Sequence, residues 1–205
     1  MLFDAAAQNW DSDLQKVERA KVLAQYISDF VQGKNLNKAL EFGCGTGLLS
    51  FHLKDAFPLI DLADTSEGMI EVLKKKISDN SLSHFKPILL EAKPAFQPAA
   101  YDMVYSLMTL HHIENLDAVF NDFYRMLKPG GYLCIADLVK EDGDFHNSED
   151  SKHVHHGFEK EQLLKQLKVH GFEEMVFQEF FFINKTTEQG KQKNFPLFFL
   201  IVQKT

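Results

Sequence analysis

The chain has 205 residues, of which 45% are apolar and 25% charged, as is typical of a single globular domain. Its 29 acidic residues outnumber its 22 lysines and arginines, which gives a formal net charge of −7 at pH 7. Because nucleic-acid affinity depends on clustered basic side chains, this balance argues against duplex nucleic acid as a partner.

Apolar residues spaced three and four apart predict a first helix over residues 13–31, with Gly33 as its stop. Short strand-like runs then alternate with helical segments. Strands are predicted over residues 38–42, 57–63, 87–90, 101–107 and 132–138, and helices over residues 48–54, 66–77 and 116–127. This alternation, with its short connections, predicts a parallel sheet covered by helices on both faces.

After residue 138 the chain no longer alternates between strands and helices. A polar loop extends through His156, and a helix is predicted over residues 160–170. Two apolar runs follow, residues 172–183 and 195–202, and the polar segment between them leaves no room for a crossover helix. These two runs therefore predict an antiparallel hairpin at the edge of the sheet.

Cysteine usage and the apolar runs indicate where the protein resides. Cys44 and Cys134 lie far apart and match neither a metal or redox spacing nor a disulfide framework. Residues 1–10 lack the basic and apolar regions of a secretory signal, and the longest apolar run, residues 195–202, is too short to cross a bilayer. We therefore predict a cytoplasmic protein without a membrane span, and no pattern indicates an oligomeric state.

A glycine-rich segment, residues 43–47, lies between the first predicted strand and the next helix. Glycines let the backbone approach a ligand closely, and a helix N-terminus presents free N–H groups to it. Leu48 stands where a dinucleotide-binding loop would have its third glycine, and the Gly-Lys-Ser/Thr ending of a P-loop is absent. The segment predicts a cradle for a nucleoside-bearing ligand, although alone it is equally consistent with a tight turn.

Asp64 ends the second predicted strand, where a carboxylate can accept both hydroxyls of a ribose. Its alternative role is the N-cap of the following helix. In a doubly wound sheet the ligand lies beyond the carboxyl ends of the strands. The glycine segment, Asp64, Glu91 and Ser106 all fall at such ends, which favours one shared binding site.

Five segments, in their order along the chain, resemble the class I S-adenosylmethionine (SAM)-dependent methyltransferases. They are most similar to a small-molecule branch that resembles the ubiquinone and menaquinone biosynthesis enzymes. The segments are Glu41–Gly47, Asp64–Met69, Tyr101–Ser106, Leu110–Ile113 and Leu127–Gly131. The resemblance implies a Rossmann-like α/β fold, with a doubly wound seven-stranded, mostly parallel sheet and an antiparallel C-terminal hairpin.

The resemblance also implies how SAM would be bound as the cofactor. Glycines of the loop would pass under its methionine part, Glu41 would support its ammonium group, and Asp64 would hold the ribose. Flanking residues would contact the adenine and line the floor beneath the reactive methyl. The full set implied is Glu41, Gly43, Cys44, Gly45, Gly47, Asp64, Thr65, Met69, Glu91, Ala92, Ser106 and Leu107.

The methyl of SAM is already activated, so an enzyme of this kind mainly aligns the acceptor and excludes water. A base helps when the acceptor must lose a proton, and histidine is the side chain best suited to that task. His111 and His112 are the candidate catalytic residues, although either one is equally suited to packing the loop. The candidate substrate-side residues are Trp10, Met108, His153, His155 and His156.

No metal site is predicted from the local spacing. The cluster of His153, His155 and His156 is a possible zinc site, but no cysteine or well-placed acid completes a four-ligand set nearby.

The predicted function is therefore SAM-dependent methyl transfer to a small-molecule acceptor by a single domain. That domain comprises a helical cap (residues 1–34), a cofactor-binding core (38–138) and a substrate-side loop, helix and hairpin (139–205). One alternative is a non-catalytic SAM-binding or regulatory protein of the same fold, because the cofactor motif says nothing about the acceptor. A nicotinamide-dependent oxidoreductase is a weaker alternative because of Leu48.

Overall fold

A computed structural model describes residues 2–90, 96–146 and 155–205. Seven strands of the described chain form one sheet in the order β3-β2-β1-β4-β5-β7-β6. Strands β1 to β5 pair in parallel, and β7 runs antiparallel to both β5 and β6. The strands are β1 (Lys38–Phe42), β2 (Leu59–Asp64), β3 (Phe85–Leu89), β4 (Tyr101–Leu107), β5 (Leu127–Leu138), β6 (Phe172–Thr186) and β7 (Gln192–Lys204).

Helices cover both faces of this sheet and are capped by short polar side chains. The α-helices are α1 (Leu2–Ala6), α2 (Leu14–Val31), α3 (Leu48–His52), α4 (Glu67–Asp79), α5 (Leu116–Met126) and α6 (Lys160–Val169), and 3₁₀ turns occur at Ala7–Ser12 and Leu110–His112. Asp13, Ser66 and Asn115 accept backbone N–H groups at the starts of α2, α4 and α5. These caps satisfy N–H groups that have no partner inside the helix.

Alternating side chains of the central strands build two separate cores. Ala39 of β1 and Met103 of β4 join a core with α2, α3 and α4 on one face. Their neighbours Leu40 and Val104 join a second core with α5 and α6 on the opposite face. Because successive strand residues point to opposite faces, a sheet that is apolar on both sides must be covered on both sides.

The observed architecture confirms the predicted seven-stranded, mostly parallel sheet with its antiparallel closing hairpin. The main local difference is at β5, which begins at Leu127 rather than at Tyr132. Leu127 pairs with Tyr101, the register then shifts, and pairing resumes between Met103 and Tyr132. Residues 129–131, between the predicted helix and the predicted strand, are therefore an irregularity within β5.

The strand order reverses between β1 and β4, which lie side by side at the centre of the sheet. At such a switch point the loops that follow the two strands leave in opposite directions and open a crevice. The loops after β1, β2, β4 and β5 all lie at this carboxyl edge. In the part of the chain that the structure describes, each helix is too short or too polar to cross a bilayer.

Candidate cofactor and acceptor site

The glycine loop after β1 packs against the carboxyl end of β2. Gly43, Gly45 and Gly47 all have positive φ angles, of 73°, 52° and 81°. The N–H groups of Gly43 and Cys44 donate to the carbonyl of Ala63 at 2.8 and 3.0 Å. The loop therefore has a fixed position at the switch point.

Gly43 and Gly45 face different surroundings. A Cβ atom on Gly43 would lie 2.3 Å from side-chain atoms of Thr109, so close packing excludes any side chain there. A Cβ atom on Gly45 would meet only the Trp10 ring nitrogen at 3.7 Å and the Met69 sulfur at 3.9 Å. Gly43 therefore joins the loop to the segment after β4, whereas Gly45 faces the groove expected to take the cofactor.

Asp64 holds the glycine loop and the start of α4 together. One carboxylate oxygen accepts the N–H of Gly45 at 2.7 Å, and the other accepts the N–H of Ser66 at 2.9 Å. The N-cap of α4 is Ser66, whose hydroxyl accepts the N–H of Met69. A carboxylate has about four acceptor positions, so two remain for the hydroxyls of a ribose. Thr65, next to Asp64, is exposed.

Glu41 lies beneath the glycine loop and is buried. Its carboxylate accepts hydrogen bonds from the backbone N–H and the hydroxyl of Ser50, whose oxygen lies 2.7 Å from that of Tyr105. Burial raises the pKa of Glu41 to about 8, although the Ser50 hydrogen bonds act in the opposite direction. A buried carboxylate of this kind favours a cation beside it, and SAM carries an ammonium and a sulfonium.

Residues 2–12, which we call the cap segment, cover this loop and are fastened at two points. At the first point, Asp4 accepts the hydroxyl of Ser66 at 2.6 Å and the N–H of Gly68 at 3.0 Å. These hydrogen bonds lower the pKa of Asp4 to about 2. At the second point, Asp11 accepts from the hydroxyl of Thr46 and from the Lys76 ammonium, the latter at 2.6 Å.

Aromatic rings connect the cap segment to the next loop of the crevice. The Phe3 ring makes edge contacts with Trp10, at a centroid distance of 6.0 Å, and with His112, at 5.4 Å. Trp10 in turn lies beside Gly45. The cap segment thus spans from the glycine loop to the histidines that follow β4.

His111 lies in the 3₁₀ turn after β4 and is almost fully buried. Its Nδ1 lies 2.6 Å from a carboxylate oxygen of Asp137, which is buried near the end of β5. Because a carboxylate accepts only, Nδ1 is the donor, and the lone pair of the neutral ring is on Nε2. Among the described residues, Nε2 of His111 has no hydrogen-bond partner.

Two further histidines surround His111. Its ring centroid lies 4.1 Å from that of His112 and 5.1 Å from that of His146, and those two rings lie 5.1 Å apart. Burial, and then repulsion by His111 and His146, lowers the pKa of His112 to about 3. His112 is therefore neutral at physiological pH.

His146 and Asp137 are site residues that the sequence analysis did not identify. His146 lies in the polar loop after β5, where the Glu141 carboxylate accepts the N–H groups of Asp144 and Phe145. Phe145 contacts the ring of Phe195 at 5.1 Å and so anchors the loop. No local spacing relates His146 to His111, and only the adjacency of β4 and β5 brings them together.

The histidines predicted on the substrate side have other contacts. His155 donates its N–H to the His111 carbonyl at 2.7 Å, and its ring lies 2.9 Å from the carbonyl of Ile113, so it holds the loop in place. His156 lies 3.6 Å from the Glu141 carboxylate. His153, Glu91 and Ala92 lie outside the described residues.

The residues at the end of β4 form the floor of the crevice. The Ser106 hydroxyl donates to the carbonyl of Phe42 at 2.8 Å and ties β4 to β1, while Leu107 packs against the first core. Met108 has a φ of +55°, and its N–H donates to the carbonyl of Ala136 at 2.8 Å. The left-handed backbone conformation of Met108 turns the chain back towards β5, beside which the histidines lie.

One cationic side chain, Arg19 of α2, is also half-buried close enough to Asp137 to feel its charge. Burial lowers its pKa to about 10, and the negative charges of Asp13 and Asp137 act in the opposite direction. Its Nε atom has no hydrogen-bond partner among the residues described. The acceptor side of the crevice therefore combines imidazoles with a positive charge.

Comparison with known proteins identifies the domain. A family model described as a methyltransferase domain matches residues 40–133. The match includes the glycine loop, Asp64, His111 and His112. It ends before Asp137 and His146.

Curated relatives carry methyltransferase names. A malonyl-[acyl-carrier protein] O-methyltransferase of Ilyobacter polytropus is 32% identical over 138 residues, covering 65% of this chain and 49% of that protein. A sterol 4-C-methyltransferase of Caenorhabditis elegans is 30% identical over 146 residues, covering 69% of this chain and 44% of that protein. The chain spans about half the length of these relatives.

Solved structures share the fold at low sequence identity. A SAM-dependent methyltransferase from Aquifex aeolicus matches with a TM-score of 0.74 and 16% identity, covering 98% of each chain. Phosphoethanolamine N-methyltransferase 2 of Haemonchus contortus, solved with SAM, matches with a TM-score of 0.68 and 18% identity, covering 89% of this chain and 52% of that one. Residues 40–133 therefore match the methyltransferase domain family, and the described chain has the fold of SAM-dependent methyltransferases of known structure.

Proposed function

We propose that this protein transfers the methyl group of SAM to a small-molecule acceptor by direct displacement at sulfur. The observation that carries the proposal is the arrangement at the switch point. The glycine loop and Asp64 lie beyond β1 and β2, and a group of three histidines, one of them buried, lies beyond β4 and β5. The two are joined at Gly43, whose Cα is packed directly against Thr109.

On the cofactor side, the chain's own residues suit SAM in charge and in hydrogen bonding. Asp64 has acceptor positions left for the ribose hydroxyls, and Gly45 leaves room above the loop. Glu41 offers a buried carboxyl to the ammonium group, and a cation bound beside it would favour its ionised form. When bound, SAM supplies an activated methyl on a sulfonium, so the protein needs only to orient the acceptor and exclude water.

On the acceptor side, we propose His111 and His112 as the residues that act on the proton of the acceptor. Asp137 fixes the orientation of the His111 ring, so that Nε2 is presented rather than Nδ1. Trp10 and Met108 line the same crevice from the cap segment and from the end of β4. His155 and His156 support it from the loop that follows β5.

A small molecule is the proposed acceptor because the named relatives modify small molecules or carrier-bound acyl groups, and because the net charge of −7 does not favour nucleic acid. The cytoplasm is the proposed location. Both cysteines, Cys44 and Cys134, are buried and unpaired, which suits a reducing compartment.

Ligand-dependent thermal unfolding tests the proposal. The protein is unfolded alone and with SAM, with its demethylated product S-adenosylhomocysteine, with NAD and with NADP. A ligand at a hundredfold excess over its Kd adds about 2.7 kcal/mol to the free energy of unfolding. We expect stabilisation by SAM and S-adenosylhomocysteine only.

The matched variants are Asp64→Ala, which removes the ribose acceptor, and Asp79→Ala, which removes an exposed aspartate at the far end of α4. Stabilisation by SAM should vanish in the first and persist in the second. Stabilisation by NAD, or by no ligand, contradicts the proposal. SAM binding without product formation across an acceptor screen supports the non-catalytic alternative.

A further inference from the structure

We propose that His111, His112 and His146 form a binding site for one divalent transition metal ion, with zinc as the expected ion. The metal would bind and acidify the methyl acceptor. This catalytic role rests on the proposed function, whereas metal binding itself does not.

The geometry of the three rings carries the proposal. Each histidine offers one ring nitrogen, and these atoms all lie within 4.8 Å of one another. Tetrahedral zinc with Zn–N distances of about 2.0–2.1 Å separates its ligands by roughly 3.3 Å. The rings therefore need to approach by at most about 1.5 Å, which side-chain rotation on a turn and a loop can supply.

A second, independent observation is the unsatisfied ring nitrogen of His111, the buried member of the cluster. His111 is 1% exposed, and its Nε2 has no hydrogen-bond partner among the described residues. Leaving a buried polar atom without a partner costs about 1–3 kcal/mol. A metal ion bound at Nε2 would remove that cost.

Asp137 binds the other ring nitrogen of His111, on the side away from the proposed metal. Its carboxylate accepts the Nδ1 proton of His111 at 2.6 Å and the backbone N–H of Leu138 at 2.8 Å. Histidines that bind metals typically donate their other nitrogen to a carboxylate, which fixes the ring and increases its basicity. Asp137 is itself fully buried.

Ligand type and number indicate the kind of metal. Three imidazoles suit zinc, cobalt, nickel or copper, whereas magnesium and calcium prefer oxygen ligands. The group found in the described chain contains no thiolate or carboxylate ligand. Three protein ligands leave a fourth position open, as in catalytic rather than structural zinc sites.

The open position gives the metal a role in methyl transfer. A hydroxide bound there takes the proton of an acceptor hydroxyl or thiol and leaves as water, while the acceptor anion binds the metal. The anion then forms a bond to the methyl carbon, and the S–CH₃ bond breaks with its electron pair passing to sulfur. In this scheme His111, His112 and His146 are ligands, so His111 and His112 act on the proton of the acceptor through the metal rather than as free bases.

Metal binding is tested on the intact protein after removal of metals by a chelator and dialysis. Zinc chloride, cobalt chloride and magnesium chloride are titrated separately by calorimetry. We expect one zinc or cobalt ion per chain, visible absorption typical of four-coordinate cobalt, and no binding of magnesium.

Variants locate the ion. His112→Gln and His146→Gln should weaken zinc binding at least tenfold, and Asp137→Asn should weaken it about 10- to 100-fold. His52→Gln, an exposed histidine on α3, is the matched control and should bind zinc as the wild type does. His146 lies in a loop, so we expect His146→Gln to fold. It therefore tests the site even if a change at buried His111 prevents folding.

The outcomes separate the two proposals. If SAM stabilises the protein and zinc does not bind, the metal inference is wrong and the proposed function stands. If zinc binds but none of the cluster variants weakens it, the ion lies elsewhere and the inference is again wrong. Zinc binding at the cluster without any stabilisation by SAM supports the metal site and contradicts the proposed function.

Discussion

The two halves of the crevice are built in different ways. The cofactor half depends on one short segment, the glycine loop, together with Asp64 about twenty residues later. The acceptor half brings together His111, Asp137 and His146, which come from a turn, a strand and a loop. The first half is encoded locally, and the second exists only once the sheet has formed.

This difference explains how each half responds to change. Backbone geometry and close packing define the cofactor half, so steric changes should be the most damaging there. Buried polar side chains define the acceptor half, so changes that keep shape but remove a nitrogen or a charge should be the most damaging there. The variants below test that contrast.

The largest effect is expected at Gly43. In Gly43→Ala the methyl group would lie 2.3 Å from Thr109 at a φ of +73°, so strain and overpacking together should lower the free energy of unfolding by about 2–5 kcal/mol. Gly190→Ala is the matched control, because its φ is +77° with no atom within 4 Å. It should lose only about 1–2 kcal/mol in urea denaturation. Equal losses would show that Thr109 moves aside freely.

The next effect separates the two halves directly. Asp64→Asn removes the charge that holds Gly45 and the ribose, so the Kd for SAM should rise about 10- to 150-fold, given 1.5–3 kcal/mol for charged hydrogen bonds. Zinc affinity in the same variant should not change. His112→Gln should have the opposite profile, with SAM affinity retained and zinc affinity reduced. Any variant that weakens both ligands equally would contradict the independence of the halves.

A smaller effect is expected from the pKa of about 8 at Glu41. If the ammonium of SAM binds beside the ionised carboxylate, the ionised fraction rises about tenfold between pH 7 and pH 9, and the Kd for SAM should fall accordingly. Glu41→Gln keeps an acceptor for Ser50 but cannot ionise. Its SAM affinity should be less dependent on pH than that of the wild type over this range.

The same group links pH to stability with the opposite sign. The folded pKa of Glu41, about 8, lies above the ordinary value of 4.5, so the folded state binds the proton more tightly than the unfolded chain does. Its contribution to stability is therefore fully present below pH 4.5 and is lost as the pH rises towards 8. The difference in unfolding free energy between the wild type and Glu41→Gln should follow this trend. A flat difference would show that Glu41 ionises normally.

The smallest effect is expected where the cap segment is fastened at the surface. Asp11→Asn weakens the partly exposed ion pair with Lys76, which should lower the free energy of unfolding by less than about 1 kcal/mol. The anisotropy of Trp10, the only tryptophan, should fall because the cap segment is held less firmly. Unchanged anisotropy would show that Asp4 alone fixes the segment.

The sequence was sufficient to predict the fold class and to place the glycine loop and Asp64 together at one edge of the sheet. The alternation of strand-like runs with helical segments predicted the parallel sheet. The polar connection between residues 183 and 195 predicted the hairpin. Both predictions depend on local patterning. The register shift between Tyr101 and Met103 depends on pairing with β5 and had no local signal. His146 was missed for the same reason, since its neighbours in space are distant in sequence.

The Phe3 ring contacts both Trp10, which lies beside Gly45, and His112, so the cap segment connects the glycine loop to the histidines. Its consequence is kinetic. A cofactor that enters beneath the segment must bind before the segment settles against His112 and completes the acceptor side. We therefore expect a compulsory order of binding, with SAM first and S-adenosylhomocysteine last to leave. Product-inhibition kinetics would reveal this order as competition between S-adenosylhomocysteine and SAM but not between S-adenosylhomocysteine and the acceptor.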